Sequence, residues 1–239
     1  MLNDLTAIFY TSNTMPQEFA DNVQTVLVES LGDVPVVSVS QKPMDFGTNI
    51  CVGDIGISAH NIYRQLLTGA KAAKTKYVVA VEDDVLYHPD HFKVRPEQDD
   101  IFTYDLNKMG VYTWSKQPSY SYKGRACLNQ LICDRELLIE VLEERFASKK
   151  AMSAKCSHRF GEPGRYDREI GCKKQKLQVV RNEDTGMSVV FSHSWAIGFG
   201  YLGRRKRIGI NPQTYLEPWG DVTELLKRIM GEEAWQKRL

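Results

Sequence analysis

The stretch that decides the fold covers residues 5–39 and reads LTAIFYTSNTMPQEFADNVQTVLVESLGDVPVVSV. Its first six residues form a compact apolar run that ends at polar residues, which predicts a buried strand. Phe19, Val23 and Leu27 then recur every four residues, which predicts a helix that ends at Gly32. The β-rich run VPVVSV predicts a second strand, so the stretch indicates a strand–helix–strand unit.

The alternation of strands and helices continues to residue 81. A loop over residues 40–57 precedes an apolar spacing from Ser58 that predicts a second helix, and the run YVVAV at residues 77–81 predicts a third strand. Strands that alternate with helices of this length form mostly parallel sheets, whose ligands bind outside the carboxyl ends of the strands. We therefore predict an α/β fold in which a mixed, mainly parallel sheet is flanked by helices.

The second half of the chain has a less regular pattern after Pro89. Asp134 precedes an apolar face that extends to Phe146 and predicts a capped helix, and residues 222–230 predict a final helix. Strand-like runs lie at residues 101–104, 111–114, 127–133, 177–180 and 189–191. Because neither a repeat nor a low-complexity linker divides the sequence, we predict one domain over residues 1–239 with an elaborated C-terminal half.

The composition is that of an ordinary globular protein and excludes several other classes. Hydrophobic residues make up 42% and charged residues 26% of the 239 residues, and the formal net charge is +1. These values exclude a disordered chain and a polycationic nucleic-acid coat. The apolar runs are far shorter than the roughly 20 residues that cross a bilayer. Five scattered cysteines without CxxC spacing indicate reduced thiols, so we expect a cytoplasmic protein with no secretory signal and no transmembrane segment.

Three adjacent carboxylates, Glu82, Asp83 and Asp84, directly follow the apolar run YVVAV. Adjacent carboxylates repel one another, so such a cluster at the end of a buried strand is unfavourable unless a cation or hydrogen-bond donors neutralise it. Oxygen ligands suit Mg²⁺ or Mn²⁺, and a hard divalent ion held by one or two carboxylates shares its other positions with water and substrate phosphates. The triplet therefore predicts a divalent metal site that binds a nucleoside diphosphate, and an acidic turn after a strand is the simpler alternative.

The segment VVAVEDDVLYHPDHF resembles the metal-binding DxD signature of the nucleotide-sugar-dependent glycosyltransferases of the GT-A fold, many of which carry it as a strand followed by Glu-Asp-Asp. The resemblance extends over residues 1–115 and weakens afterwards. It implies a GT-A-like fold in which residues 1–115 bind the nucleotide sugar and residues 116–239 bind the acceptor. It also implies that Asp84 is the direct metal ligand, while Glu82 and Asp83 organise the waters of the metal and contact the ribose of the donor.

The same resemblance implies a donor site built from loops at the strand ends, with a UDP-sugar as the expected donor. Arg64, on the second predicted helix, is expected to reach the phosphate or sugar of the donor. Arg204 and Arg205 are expected to close over the diphosphate and exclude water. The residues expected to hold the nucleoside are Thr11, Ser12, Gln41, Asp45 and Asn49. Such polar loop residues have an alternative role as ordinary turn formers.

Sugar transfer with inversion needs a carboxylate that takes the proton of the acceptor hydroxyl. Inverting GT-A enzymes often carry this base at the start of a helix, and the segment YDREI, which places Asp167 before an apparent helix through Lys176, is similar. Tyr166 stands where the usual motif has an acidic residue, so Glu169 and Glu162 remain rival bases. The alternative is that Asp167 and Glu169 only stabilise a helix N-terminus.

His193 lies just after the apolar run SVVF. GT-A enzymes often place a His at such a strand end, so the resemblance implies that His193 completes the metal site or contacts the diphosphate. A single His beside a strand is more often a structural residue, and the separate carboxylate motif is what favours the metal role here.

The leading hypothesis is a metal-dependent hexosyl- or pentosyltransferase that moves a sugar from a nucleoside diphosphate to a hydroxyl acceptor. A nucleotidyltransferase or a metal-dependent phosphohydrolase also fits carboxylates on Mg²⁺ at a strand end, and a non-catalytic sugar-nucleotide or nucleic-acid binding module is the third hypothesis. The basic stretch over residues 145–176 is either a solvated face or a surface for a polyanion. The acceptor is therefore expected to be modified DNA, such as a hydroxymethylated base of viral DNA, or a glycan or lipid-linked acceptor.

Overall fold

A computed structural model of the protein describes residues 4–122, 124–153, 155–156, 159–182, 184–193 and 210–238. The strands are β1 (Leu5–Thr11), β2 (Val36–Ser40), β3 (Thr48–Cys51), β4 (Tyr77–Glu82), β5 (Val85–Leu86), β6 (Ile101–Asp105), β7 (Lys108–Tyr112), β8 (Tyr120–Tyr122), β9 (Leu131–Asp134), β10 (Lys176–Val180), β11 (Ser188–Ser192), β12 (Ile210–Gln213), β13 (Tyr215–Leu216) and β14 (Gly220–Asp221). The α-helices are α1 (Gln17–Leu31), α2 (Ala59–Ala72), α3 (Arg135–Ala147), α4 (Val222–Met230) and α5 (Glu232–Arg238). Short 3-10 helices lie at Pro89–Lys93 and Leu128–Gln130.

The main sheet has seven strands in the order β10-β6-β9-β4-β1-β2-β3. β3, β2, β1 and β4 run parallel, β9 runs antiparallel to both of its neighbours, and β10 is parallel to β6. A second sheet has the order β12-β8-β7-β11-β5, and β13 pairs with β14. This arrangement confirms the predicted fold class, a mixed and mainly parallel α/β sheet flanked by helices.

The predicted strand–helix–strand unit is confirmed by β1, α1 and β2. Gly32 ends α1 with a φ of 55°, a left-handed conformation that glycine adopts without a Cβ clash. α2 begins where Ser58 accepts a hydrogen bond from the backbone N–H of Asn61, 3.1 Å away. Asp134 caps α3 in the same way, and α4 has the predicted bounds. Local periodicity and capping therefore predict these helices correctly.

Two predictions along the chain are wrong. The predicted loop at residues 40–57 contains β3, whose short polar sequence has no apolar alternation. The helix expected from Asp167 through Lys176 is absent from the described residues, which form bends and turns before β10. Gly164 and Gly171 have φ values of 90° and 77° there, and the Asp167 carboxylate binds backbone N–H groups that a helix would use internally.

The packing of the helices brings the functional strand ends together. Gly69 allows α2 to lie close on β1, because a Cβ at this position would collide with Ile8. α1 and α4 share an apolar cluster with the second sheet, which includes Phe19 and Phe191 at a ring separation of 5.5 Å. The backbone N–H of Phe191 also donates to the carbonyl oxygen of Asp84 at 2.9 Å, so the end of β11 is fixed beside the end of β4. Across the described ranges, each helix is too short or too polar to traverse a bilayer.

Candidate functional site

A cavity of about 250 Å³ lies at the carboxyl ends of β1, β2 and β4 and is closed on one side by the first turns of α2. It is lined by Tyr10, Thr11, Ser12, Thr14, Met15, Gln41, Gly56, Ile57, Ser58, Asn61, Ile62, Gln65, Glu82, Asp83, Asp84 and His193. Seven residues that the sequence analysis assigned to donor or metal binding are among them: Thr11, Ser12, Gln41, Glu82, Asp83, Asp84 and His193. The position agrees with the expectation that ligands bind at the carboxyl edge of a parallel sheet.

Side-chain amides hold the strand ends that line the cavity. The Gln65 side chain donates to the carbonyl oxygens of Thr11 and Val39, both at 2.8 Å, and so joins β1 to β2. Asn13, with a φ of 55°, accepts the backbone N–H groups of Gln41 and Lys42 at 2.8 Å each. Gln65 is not predicted as a site residue from the sequence. The only signal in the sequence is that a polar residue occupies the inward face of an amphipathic helix.

Glu82 is the innermost carboxylate of the triplet. Its Oε1 accepts the Tyr10 hydroxyl at 2.8 Å and its Oε2 accepts the Asn129 amide at 2.9 Å. The backbone N–H of Glu82 donates to the Tyr87 hydroxyl at 3.1 Å, and this hydroxyl donates to the Asn129 carbonyl at 2.9 Å. Burial, followed by the charge of Asp84, raises the pKa of Glu82 to about 8. The metal-free site thus favours a proton on Glu82.

Asp83 and Asp84 face the cavity in different ways. Asp83 accepts the Thr11 hydroxyl at 2.5 Å, and burial together with the Asp84 charge raises the pKa of Asp83 to about 6. Asp84 Oδ2 lies 3.1 Å from His193 Nε2. Asp84 Oδ1 is buried and has no hydrogen-bond partner among the described residues. An unpaired buried carboxylate oxygen is unfavourable, so this atom is available for a cationic ligand.

The donor set fits a divalent ion that is completed by its substrate. Asp84 and His193 offer an oxygen and a nitrogen 3.1 Å apart, and two adjacent ligands at about 2.1 Å from an octahedral ion are separated by about 3 Å. In the ranges that the structure describes, no three His, Cys, Asp or Glu side chains form a ready-made metal cluster. A cation here would therefore take its remaining ligands from water and phosphate oxygens, as Mg²⁺ commonly does.

Three predicted donor-binding residues lie outside this cavity. Asp45 lines a neighbouring cavity of about 380 Å³, which shares Thr11 and Asp83 with the first. The Asn49 amide donates to the hydroxyls of Ser38 and Ser40 at 2.9 Å each, and so braces β2 against β3. Arg64 is exposed, with its guanidinium carbon 5.7 Å from the centre of the Phe146 ring. The predicted loop residues Arg204 and Arg205 lie outside the described residues.

The three candidate bases occupy different environments. Asp167 has no exposed surface and binds Arg145 at 2.5 Å, as well as the backbone N–H groups of Gly164 and Gln175 at 3.0 Å each. Asp167 is thus a buried structural carboxylate that an acceptor does not reach, which corrects its assignment as the base. Glu169 is exposed and pairs with Arg159 at 2.8 Å.

Glu162, the third candidate base, is nearly buried but keeps some exposed side-chain surface. Its side chain is 11% exposed and accepts a hydrogen bond from Arg165 at 3.0 Å. Burial and then the Glu162 charge raise the pKa of Tyr63 well above its usual value, and Glu82 contributes in the same direction. Tyr63 lies on α2 beside the cavity-lining Ile62. The charges of Glu162 and Glu82 thus both disfavour ionisation of the buried Tyr63 hydroxyl.

No protein-family model and no curated protein sequence matches this chain. Several solved structures are similar to it. A glycosyltransferase involved in the glycosylation of the major capsid of PBCV-1 is 10% identical, with a TM-score of 0.42, over 78% of this chain and 92% of its own. S. aureus TarS in complex with UDP-GlcNAc is 11% identical, with a TM-score of 0.45, over 81% of this chain and 60% of its own. A nucleotidyl transferase from Methanothermobacter is 12% identical, with a TM-score of 0.38, over 59% of this chain and 76% of its own. At these identities and scores the likeness does not extend to activity.

Proposed function

We propose that the protein is a metal-dependent glycosyltransferase that transfers a sugar from a nucleoside diphosphate, with a UDP-sugar as donor, to a hydroxyl acceptor. One observation carries the proposal: Asp84, beside His193, keeps a buried and unpaired carboxylate oxygen at the edge of the cavity. A surface turn would leave its carboxylates in water, whereas burial here raises the pKa of Glu82 and of Asp83. That arrangement suits a cation that arrives with its own phosphate ligands.

The residues that line the cavity support the binding of such a donor. Asp84 and His193 would hold Mn²⁺ or Mg²⁺, which supplies positive charge that stabilises the leaving diphosphate. Thr11, Ser12 and Gln41 lie on the β1 and β2 side of the cavity, where the nucleoside would bind. Asp45 lines the neighbouring cavity, which shares Thr11 and Asp83 with the first, so we propose that Asp45 contacts the same donor.

Inversion requires the acceptor oxygen to attack the anomeric carbon while the bond to the diphosphate breaks. The electron pair of that bond leaves with the diphosphate, and the proton of the acceptor hydroxyl passes to a carboxylate. We assign this role to Glu162, because Asp167 is inaccessible and Glu169 is paired on the outer surface. Arg165 binds the Glu162 carboxylate at 3.0 Å and would keep it oriented.

Product analysis tests this function. Purified protein with Mn²⁺ and pooled sugar nucleotides is offered hydroxymethylated DNA or glycan acceptors, and the products are identified by mass spectrometry. Release of a nucleoside diphosphate together with a glycosylated acceptor supports the proposal. Release of pyrophosphate or orthophosphate instead would assign the site to a nucleotidyltransferase or a phosphohydrolase, and absence of any turnover would leave a binding module.

Two variants make the test specific to the site. Asp84→Asn keeps the shape of the side chain but removes its charge, so it should abolish metal-dependent turnover and leave the circular dichroism spectrum unchanged. Asp33→Asn removes the same charge from an exposed position after α1 and should leave turnover intact. Wild-type turnover by the Asp84 variant would refute the metal assignment.

A further inference from the structure

The structure separates the cations of the basic stretch at residues 145–176 into two groups. In the first group, each cation is held by a partner within the protein. Arg145 pairs with the buried Asp167, and Lys174 donates to the Gly164 carbonyl. The other members of the group pair at the surface, where Arg159 binds Glu169, Arg165 binds Glu162 and Lys176 binds Asp100. These cations support the fold or the site and have little charge left for a ligand.

The second group consists of exposed cations without a carboxylate partner in the described part of the chain. Arg64 of α2 is likewise exposed and has no carboxylate partner in the described ranges. Together these residues make up what we call the cationic surface: Arg64, Lys149, Lys150, Lys155, Arg168 and Lys173. The formal net charge of the protein is only +1. The positive charge is therefore local and does not reflect a generally basic protein.

Contacts between two segments bring three of these cations together. The Ser148 hydroxyl donates to the Ile170 carbonyl at 3.3 Å, and the Lys150 side chain lies against Gly171. The backbone N–H of Lys173 donates to Glu144 near the end of α3, at 2.8 Å. The end of α3 and the turn at residues 170–173 are thus adjacent, so Lys149 and Lys150 lie beside Lys173.

The cationic surface borders the cavity. His60 lies between the cavity-lining residues Ser58 and Asn61, and its Nε2 is 3.4 Å from the Ala151 carbonyl. The His60 ring also packs edge-on against Phe160 at 4.7 Å. The segment that carries Lys149, Lys150 and Lys155 therefore packs directly on the first turn of α2, which forms the cavity wall.

We propose that the cationic surface binds the phosphate backbone of a nucleic acid and that this nucleic acid is the acceptor. The assignment of this nucleic acid as the acceptor rests on the proposed transferase function. Nucleic acid has the dense, regular negative charge that several unpaired cations on one surface neutralise. The cavity is taken up by the proposed metal and donor, so the backbone stays on the surface while only the group that accepts the sugar enters. A hydroxyl on a base fits this division, since the base leaves the stack to reach the cavity.

The test is a binding titration of duplex DNA containing 5-hydroxymethylcytosine, at 50 and 200 mM salt without donor. The triple variant Lys149→Gln, Lys150→Gln, Lys155→Gln is compared with the control Lys74→Gln, Lys93→Gln, Lys116→Gln, which removes the same charge from exposed positions elsewhere. Six phosphate contacts predict a loss of about 10³-fold in affinity between the two salts for the wild type and the control. Three fewer contacts should reduce this loss to about 40-fold, because each contact contributes a slope of about 0.9.

Several results would overturn the proposal. The first is a DNA affinity that does not depend on salt, and the second is an equal change of DNA affinity in the two triple variants. The third is binding of anionic lipid vesicles or of poly(glycerol phosphate) that depends on these lysines, without binding of DNA. Binding of UDP with Mn²⁺ is measured on the same proteins and should be equal in all three. If UDP binding fails while Lys-dependent DNA binding persists, the proposed function fails and the nucleic-acid surface stands.

Discussion

Glu82→Gln should make the stability of the metal-free protein less dependent on pH. Glu82 has a pKa of about 8 in the folded protein, against an ordinary value of 4.5, because burial and the Asp84 charge disfavour its ionised form. The folded state therefore holds a proton that the unfolded state has already lost, and this stabilisation is lost as the pH rises towards 8. With these two pKa values, the Glu82 contribution falls by about 2 kcal/mol between pH 6 and pH 8. The glutamine side chain of the variant cannot ionise, so the variant shows no such loss.

Urea unfolding in EDTA at the two pH values measures this contribution. For a protein of this size, a difference of about 2 kcal/mol shifts the urea midpoint by about 1 M, since the m-value is about 2–3 kcal/mol/M. We expect this shift in the wild type in excess of the shift in Glu82→Gln, and saturating Mn²⁺ should diminish it by neutralising the ionised triplet. Equal pH dependence of the wild type and the variant would refute the desolvated state of Glu82 and, with it, the electrostatic argument for a cation.

Three further predictions concern the same site. Mn²⁺ affinity should increase from pH 6 to pH 8 with release of protons, because the metal competes with protons on Glu82 and Asp83. Calorimetry in buffers of different ionisation enthalpy measures this proton release. A Mn²⁺ affinity that does not depend on pH would contradict the prediction. Asp167→Asn should destabilise the fold by about 3–5 kcal/mol, because it leaves the Arg145 charge buried and unpaired; normal stability with a selective loss of kcat would instead restore Asp167 as the base. Gln65→Leu should weaken UDP binding, since the Thr11 carbonyl loses its brace, and an unchanged UDP affinity would show that the strand ends need no such support.

The sequence predicts the first half of the fold well because its signals are local. The apolar runs of β1 and β4 and the capped start of α2 each depend on neighbouring residues, and the triplet follows directly from the end of β4. The parallel sheet then dictates that these strand ends meet at one edge. Thr11, Gln41 and the triplet accordingly line one cavity at that edge, while their roles in binding a donor stay a prediction.

Local sequence patterns do not predict the residues that support the site. Asn129, Tyr87 and Gln65 hold the triplet and the strand ends through contacts made by distant parts of the chain. The helix predicted from Asp167 through Lys176 is wrong for a related reason. An acidic residue near the start of a polar segment has the same pattern whether it caps a helix or, as here, collects backbone N–H groups in a buried turn beside Arg145.

The correction of Asp167 links the base to the acceptor surface. Arg145 and Asp167 form a buried pair that anchors the turn carrying Glu162 at one end and Lys173 at the other. Loss of this pair should therefore disturb the environments of both Glu162 and Lys173. The buried pair thus gives Asp167 a structural role in the same turn that carries the proposed base and part of the proposed nucleic-acid surface.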